Sequence, residues 1–313
     1  MPAPRARTRK NAHSEYMGLR YNGAHFVLRS NSDMTDLPLS PLVDIGANLG
    51  HEAFEHDLDA VLARAQAVGI QHLLVTGTSA AGSSRALELA AAYPALLSAT
   101  AGVHPHEAAH CDEEAFSLIR ALAMEARVLA VGETGLDFNR DYSPRTVQEN
   151  VFEQHLALAC EIGKPVFLHQ RDAHSRFLPI LKSFRDGLQR NGVVHCFTGE
   201  RDELYEYLDL DMYIGITGWV CDERRGAHLL EFLHDIPATR LLLETDAPYL
   251  LPRSLRPRPK SRRNEPCHLP EVLRTVAAAI GSSVDALARQ TSENAERLFQ
   301  FSACAPIKAN ASA

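Results

Sequence analysis

VLAVGE, residues 128–133, is four apolar residues followed by a glycine and a glutamate. Such a run suits a strand buried on both faces. A carboxylate at the end of a buried strand is unfavourable unless it is paired or bound to a cation. The same design returns in PVFLH (165–169), which ends at His169, in GVVH (192–195), which ends at His195, and in LLLETD (241–246), which ends at Asp246. In a parallel barrel the chemistry sits where the strands finish. Four endings of this kind point to a metal-dependent hydrolase.

Outward from these runs, short apolar segments alternate with longer amphipathic ones. Strands are expected at 42–45, 72–76, 98–102, 128–132, 165–169, 192–195, 212–216 and 241–245, each nearly continuously apolar. Helical spacing appears at 57–68, where Leu58, Val61, Leu62 and Ala65 share a face before Gly69. It recurs at 83–93, 114–126 and 147–162, the last stopped by Gly163, and at 269–279, 284–290 and 294–299. Eight strands separated by helices predict an α/β (β/α)8 TIM-like barrel. A doubly wound sheet is the alternative, but no GxGxxG follows the first strand.

The 313 residues, 45% hydrophobic and 23% charged, suit a soluble enzyme with one large core. No run approaches the roughly 20 apolar residues of a membrane span. A net charge of −7 argues against a protein that coats nucleic acid by bulk electrostatics, though not against one that grips a few phosphates. Six cysteines (Cys111, Cys160, Cys196, Cys221, Cys267 and Cys304) form no CxxC pair and read as reduced thiols of a cytoplasmic protein. The barrel is expected over 41–302, with a flexible tail at 303–313. Residues 1–40 begin basic and Pro/Arg-rich and lack sustained periodicity. They read as a disordered extension, or as a start placed ahead of a natural one at Met34.

Among the residues that carry chemistry, a lone buried histidine is more often a hydrogen-bonded core residue than a ligand. Two of them beside Glu133 reverse that reading, because His169, His195 and Glu133 supply imidazole and carboxylate donors suited to Zn²⁺, Mn²⁺ or Mg²⁺. Asp246 adds a carboxylate as a ligand or as a base toward metal-bound water. His104 and His106, in AGVHPHE (101–107), straddle a proline and face either the barrel mouth or solvent. The segment 252–266 carries Arg253, Arg256, Arg258, Lys260, Arg262 and Arg263 before its first acid, Glu265, which suggests an anionic substrate or a solvated loop. Trp219, the single tryptophan, follows a strand and either stacks on a base or packs its own loop.

Taken in order, DIGANL (44–49), AGVHPH (101–106), VGETGLDFNR (131–140), PVFLHQRDAH (165–174), VVHCFTG (193–199), YIGITGWVCDERRG (213–226), LLLETDAPYLLPR (241–253) and RRNEPCHLP (262–270) resemble the TatD-type metal-dependent deoxyribonucleases. GWVCDERRG and SRRNEP are most similar to the TatD branch. The resemblance implies a TIM-like barrel and a divalent-metal phosphodiesterase that removes nucleotides from the 3′ end of single-stranded DNA and RNA, with a role in DNA repair or degradation. It implies Glu133, His169 and His195 as metal ligands, Asp246 as ligand or general base, and Glu133 and Asp246 as the catalytic pair. His104, Arg171, Trp219, Arg262, Arg263 and Asn264 would contact substrate. Most of the wider superfamily carries DxHxH after the first strand; here Gly46 and Asn48 replace both histidines, as the TatD branch does. That poorer nitrogen set shifts the expected ion toward Mg²⁺ or Mn²⁺. The expected enzyme is a monomer without membrane contact. The alternative within this barrel is an amidohydrolase or a D-aminoacyl-tRNA deacylase.

Overall fold

Eight parallel strands lie in one sheet in sequence order: β1 (Leu42–Ala47), β2 (Ile70–Val75), β3 (Leu97–Ala101), β4 (Val128–Asp137), β5 (Val166–Arg171), β6 (Gly192–Val194), β7 (Tyr213–Ile216) and β8 (Leu241–Leu243). The structure, a computed structural model, describes residues 38 and 40–301 and the backbone of an antiparallel pair, Gly18–Tyr21 with Ala24–Val27. That pair forms where no periodicity pointed to a strand. The other expectations for residues 1–37, including the start at Met34, and for the tail from 303 lie outside the described residues.

Each expected strand is present, displaced by at most a few residues. The sheet closes where β8 returns to β1. Ala47 bridges Ala247, Asn48 N donates to Ala247 O at 2.7 Å, and Asp246 N donates to Gly46 O at 2.8 Å. Asp44 completes the seam, its buried carboxylate accepting Thr245 N at 2.9 Å and Thr245 Oγ1 at 2.5 Å. Burial raises its pKa to about 7 against those hydrogen bonds. The closing strand ends are therefore held by a side chain as well as by backbone.

One strand departs from expectation in a way that matters. β4 does not end at Glu133; its pairing with β5 continues to Asp137 opposite Arg171, after a register shift between Gly132 and Thr134. Glu133 therefore sits at an irregularity within a wholly buried strand. Such an irregularity re-aims a side chain that regular pleating would fix.

The helices are α1 (Leu58–Ala67), α2 (Ala80–Ala92), α3 (Glu113–Met124), α4 (Arg145–Ile162), α5 (His174–Phe184), α6 (Arg201–Asp209), α7 (Leu269–Ile280) and α8 (Val284–Phe299). Gly163 ends α4 in the left-handed region at φ 67°, as its sequence position implied. Between β7 and β8 the described crossover consists of short 3-10 turns only, at Gly218–Cys221, Ala227–Glu231 and Leu233–Asp235. The two short helices expected at 284–290 and 294–299 are one. Its polar stretch is anchored instead of exposed: buried Asn294 donates to Ala238 O at 2.7 Å and to Leu241 O at 2.9 Å, tying α8 to the start of β8.

Candidate metal centre

Glu133 Oε1 is the meeting point of three imidazoles. His195 Nε2 lies 2.7 Å away, His169 Nδ1 3.0 Å and His104 Nε2 3.4 Å. They come from different places: the irregularity in β4, the middle of β5, the residue after β6, and the loop after β3. Glu133 and His195 are buried, while His104 and His169 are partly open to the mouth. His104, expected as a phosphate contact, is thus within the cluster itself, and its donor atom lies within 4.8 Å of those of Glu133 and His169.

Three buried polar atoms in this cluster lack a hydrogen-bond partner among the described residues: His169 Nε2, His195 Nδ1 and Glu244 Oε2. His195 Nδ1 is 3.4 Å from Glu244 Oε2, and His169 Nε2 is 3.6 Å from Asp137 Oδ2. Unpartnered buried polar atoms are rare in native structures. Converging imidazole and carboxylate donors with spare lone pairs fit a divalent cation. Glu133, His169 and His195, with His104 beside them, are the residues that would hold it.

The electrostatics agree. Burial alone would raise the pKa of Glu133, but the charges of His195 and His104 and the hydrogen bonds from His169 and His195 hold its carboxyl well below the ordinary range. Burial would lower His195, yet Glu133 and Glu244 raise it well above an ordinary histidine. His169 is likewise raised, by Asp137 and Glu133 against burial. His104, with burial dominant, falls to about 3. The carboxylates thus demand positive charge at their centre. A cation bound there would compete with protons for His195 and His169.

Asp246, on the loop after β8, accepts a 2.9 Å hydrogen bond from Asn48 Nδ2. Its pKa is raised to about 7, first by burial and then by Glu133 and Glu244, with His195 and Asn48 opposing. Asn48 therefore orients the Asp246 carboxylate.

Glu244 was missed in the sequence, although the signal existed: in LLLETD it stands two residues before Asp246, the strand period. It is fully buried, and Oε1 accepts Cys196 N at 2.5 Å. The two glycines beside it explain Gly46. A Cβ on Gly46 would lie 2.3 Å from Glu244 Oε2, and one on Gly215 would lie 2.6 Å from Oε1. Glu244 fills the space that a side chain at position 46 would need. Asp137, also missed because β4 was read as ending earlier, accepts His106 Nε2 at 2.8 Å.

Of the substrate-facing candidates, Arg171 ends β5 two residues beyond His169, and its guanidinium lies 6.0 Å from the Trp219 ring. Arg262 is exposed. Arg263 and Asn264 are engaged elsewhere. Arg263 pairs with Asp57 at 2.7 Å and Glu265 at 2.6 Å, and buried Asn264 donates to Thr245 O at 2.9 Å. Their geometry supports the loop after β8 and not a phosphate. The basic run is correspondingly less positive than its sequence suggested, since Arg253 also pairs with Glu223 at 3.2 Å. Among the described residues Arg258, Lys260 and Arg262 carry no ion pair.

A profile described as TatD-related DNase matches residues 43–300. The chain belongs to this family. It is 53% identical over 258 residues, 82% of this chain and 97% of the relative, to a Cronobacter sakazakii protein named 3′-5′ ssDNA/RNA exonuclease TatD. A Dickeya dadantii protein of the same name is 52% identical over 259 residues, covering 83% and 98% of the two chains. Among solved structures, a TatD-family hydrolase of Entamoeba histolytica superposes with TM-score 0.76 at 25% identity, over 84% of this chain and 99% of the other. A TatD homologue of Escherichia coli K12 gives TM-score 0.76 at 28% identity, over 83% and 98%. Membership accounts for the TIM-type barrel. Among the described residues no helix is long and apolar enough to cross a membrane.

Proposed function

We propose that this chain is a 3′–5′ exonuclease that hydrolyses single-stranded DNA and RNA with a divalent metal ion, Mg²⁺ before Mn²⁺ or Zn²⁺. The observation that carries the reading is the convergence of three imidazoles on Glu133 Oε1 in a chain about half identical to full-length relatives so named. Glu133, His169 and His195 would hold the ion, with His104 at its edge. When bound, the ion polarises the phosphate and makes a water acidic enough to ionise near neutral pH.

The chain's own groups do the rest. Asp246, oriented by Asn48 and with its pKa near 7, takes the proton from the attacking water. Glu244 Oε2 stands 3.4 Å behind His195 Nδ1 and so helps to orient the imidazole toward Glu133. Arg171, Trp219 and Arg262 face the substrate. A monomeric cytoplasmic enzyme of nucleic-acid degradation or repair is the setting we favour.

End-labelled single-stranded DNA, duplex DNA and RNA incubated with Mg²⁺ or with EDTA test this. A ladder shortening from the 3′ end only when metal is present is expected; no nucleolysis with any divalent ion would end the reading. Glu133→Gln should lower turnover at least about a hundredfold while leaving circular dichroism and the melting transition intact. Unchanged turnover would remove Glu133 from the mechanism.

A further inference from the structure

Trp219 stands in the turn after β7, its backbone N–H held by Thr217 Oγ1 at 3.2 Å. Its indole N–H donates to Arg225 O at 3.2 Å, and the Arg225 guanidinium lies 4.2 Å from the ring centroid. Arg225 is itself fixed by buried Asp222 at 2.8 Å, which Arg224 and Arg253 also approach, each at 3.5 Å. The indole is therefore held rigidly, yet it is only partly buried. A rigid, backed, partly open aromatic ring is what base stacking requires.

Arg171 approaches the same ring from β5. Unlike that of Arg225, its side chain makes no hydrogen bond or ion pair among the described residues, although its carbonyl accepts Phe138 N–H at 2.9 Å. In a chain of net charge −7, a partly buried guanidinium without a carboxylate partner is an anion site in waiting. It lies two residues past His169 on one strand, so the two side chains share a face about 6.6 Å apart along it. That step is comparable to one nucleotide of an extended single strand.

We propose that Arg171 and Trp219 hold the penultimate nucleotide of the substrate: Arg171 takes its 5′ phosphate and Trp219 stacks on its base. The assignment rests on the 3′ exonuclease reading. In a strand cut at its 3′-terminal linkage no phosphate lies beyond the terminal nucleotide, so the phosphate one step from the scissile one is on the 5′ side. The base between those two phosphates is the penultimate one.

Trp219 is the chain's single tryptophan, so its fluorescence reports this contact without catalysis. The full-length protein with Mg²⁺ is titrated with single-stranded oligodeoxynucleotides whose 3′-terminal linkage is a phosphorothioate to slow cleavage. Saturable quenching is expected. An abasic penultimate position should abolish it and weaken binding about tenfold, whereas an abasic terminal position should leave it. With binding read from the anisotropy of a 5′-fluorescein strand, since these variants hold no tryptophan, Trp219→Leu should erase the discrimination between intact and penultimate-abasic strands, and Trp219→Phe should restore part of it, which separates stacking from a folding defect. Arg171→Gln should weaken strands that carry the penultimate 5′ phosphate and leave unchanged a dinucleotide without it. Digestion of ordinary strands with no quenching, or with equal effects of the two abasic positions, overturns the platform and leaves the nuclease reading standing. Absence of both quenching and digestion overturns the two together.

Discussion

Gly46 is the residue whose chemistry is most easily misread. Read by its resemblance alone it is a lost ligand, since glycine offers no donor. In the fold it is a vacancy for another side chain: Glu244 reaches within 2.3 Å of where a Cβ would stand. The space left open on β1 is thus taken by a carboxylate just past β8 that backs His195. Gly46→Ala should push Glu244 away from His195. We expect turnover at least about tenfold lower, from a displaced supporting carboxylate, and stability lower by about 1–3 kcal/mol from the overpacking. Urea denaturation and steady-state assays check both. An alanine variant with wild-type turnover would show that Glu244 has no part in the centre.

At the scale of elements, α4 positions the loop that carries His104. His155 on α4 donates Nδ1–H to Val151 O at 2.7 Å and accepts Val103 N–H at Nε2, 3.1 Å away. Both bonds need the neutral ring, and burial lowers its pKa to about 4. An unfolded histidine takes its proton near pH 6.5 and the folded one resists until about 4, so this group's contribution is present above 6.5 and lost as pH falls toward 4. His155→Gln, whose amide can make both bonds and cannot titrate, should narrow the difference in unfolding free energy between pH 7 and pH 4.5. Chemical denaturation at the two pH values measures it; an equal difference in both proteins would show that His155 does not stay neutral. The same scale explains where the sequence reading of elements slipped. The polar TSEN stretch, residues 291–294, looked like a break between helices because its hydrophobic periodicity lapses. Asn294 instead faces the barrel, satisfying carbonyls of the β8 approach, and this is invisible to a periodicity that counts only apolar residues.

For the molecule as a whole, the centre lies at the open end of a barrel whose core does not depend on it. The strands are buried and the seam is closed by backbone and by Asp44. Removing metal with EDTA should therefore leave a folded protein, and saturating metal should raise its melting temperature. A ligand at a hundred times its dissociation constant adds about 2.7 kcal/mol. Because His195 and His169 have raised pKa values, metal must displace their protons, and affinity should weaken as pH falls. Calorimetric titration in buffers of different ionisation enthalpy should show proton release on binding; a buffer-independent heat would mean that the imidazoles are already neutral.

Much of this was legible in one dimension. The near-continuous apolar runs mark strands buried on both faces, and their alternation with helical spacing specifies the barrel. Glu133, His169, His195 and Asp246 stand out because a titratable group at a buried apolar run needs a partner or an ion; the fold brings the first three together, although Glu133 and His169 lie within their strands and not at the ends. What the sequence could not determine depends on how neighbouring strands are aligned. The register shift in β4 sets where Glu133 points and carries the strand on to Asp137. The seam between β1 and β8 brings Glu244 into the space left by Gly46 and Asn48 to Asp246. Opposing acids decide that Arg263 is internally neutralised while Arg171 is not. Local pattern records which residues want burial or charge. Only closure of the barrel, which juxtaposes residues some two hundred positions apart, determines which of those wants are met by another residue and which are left for a ligand.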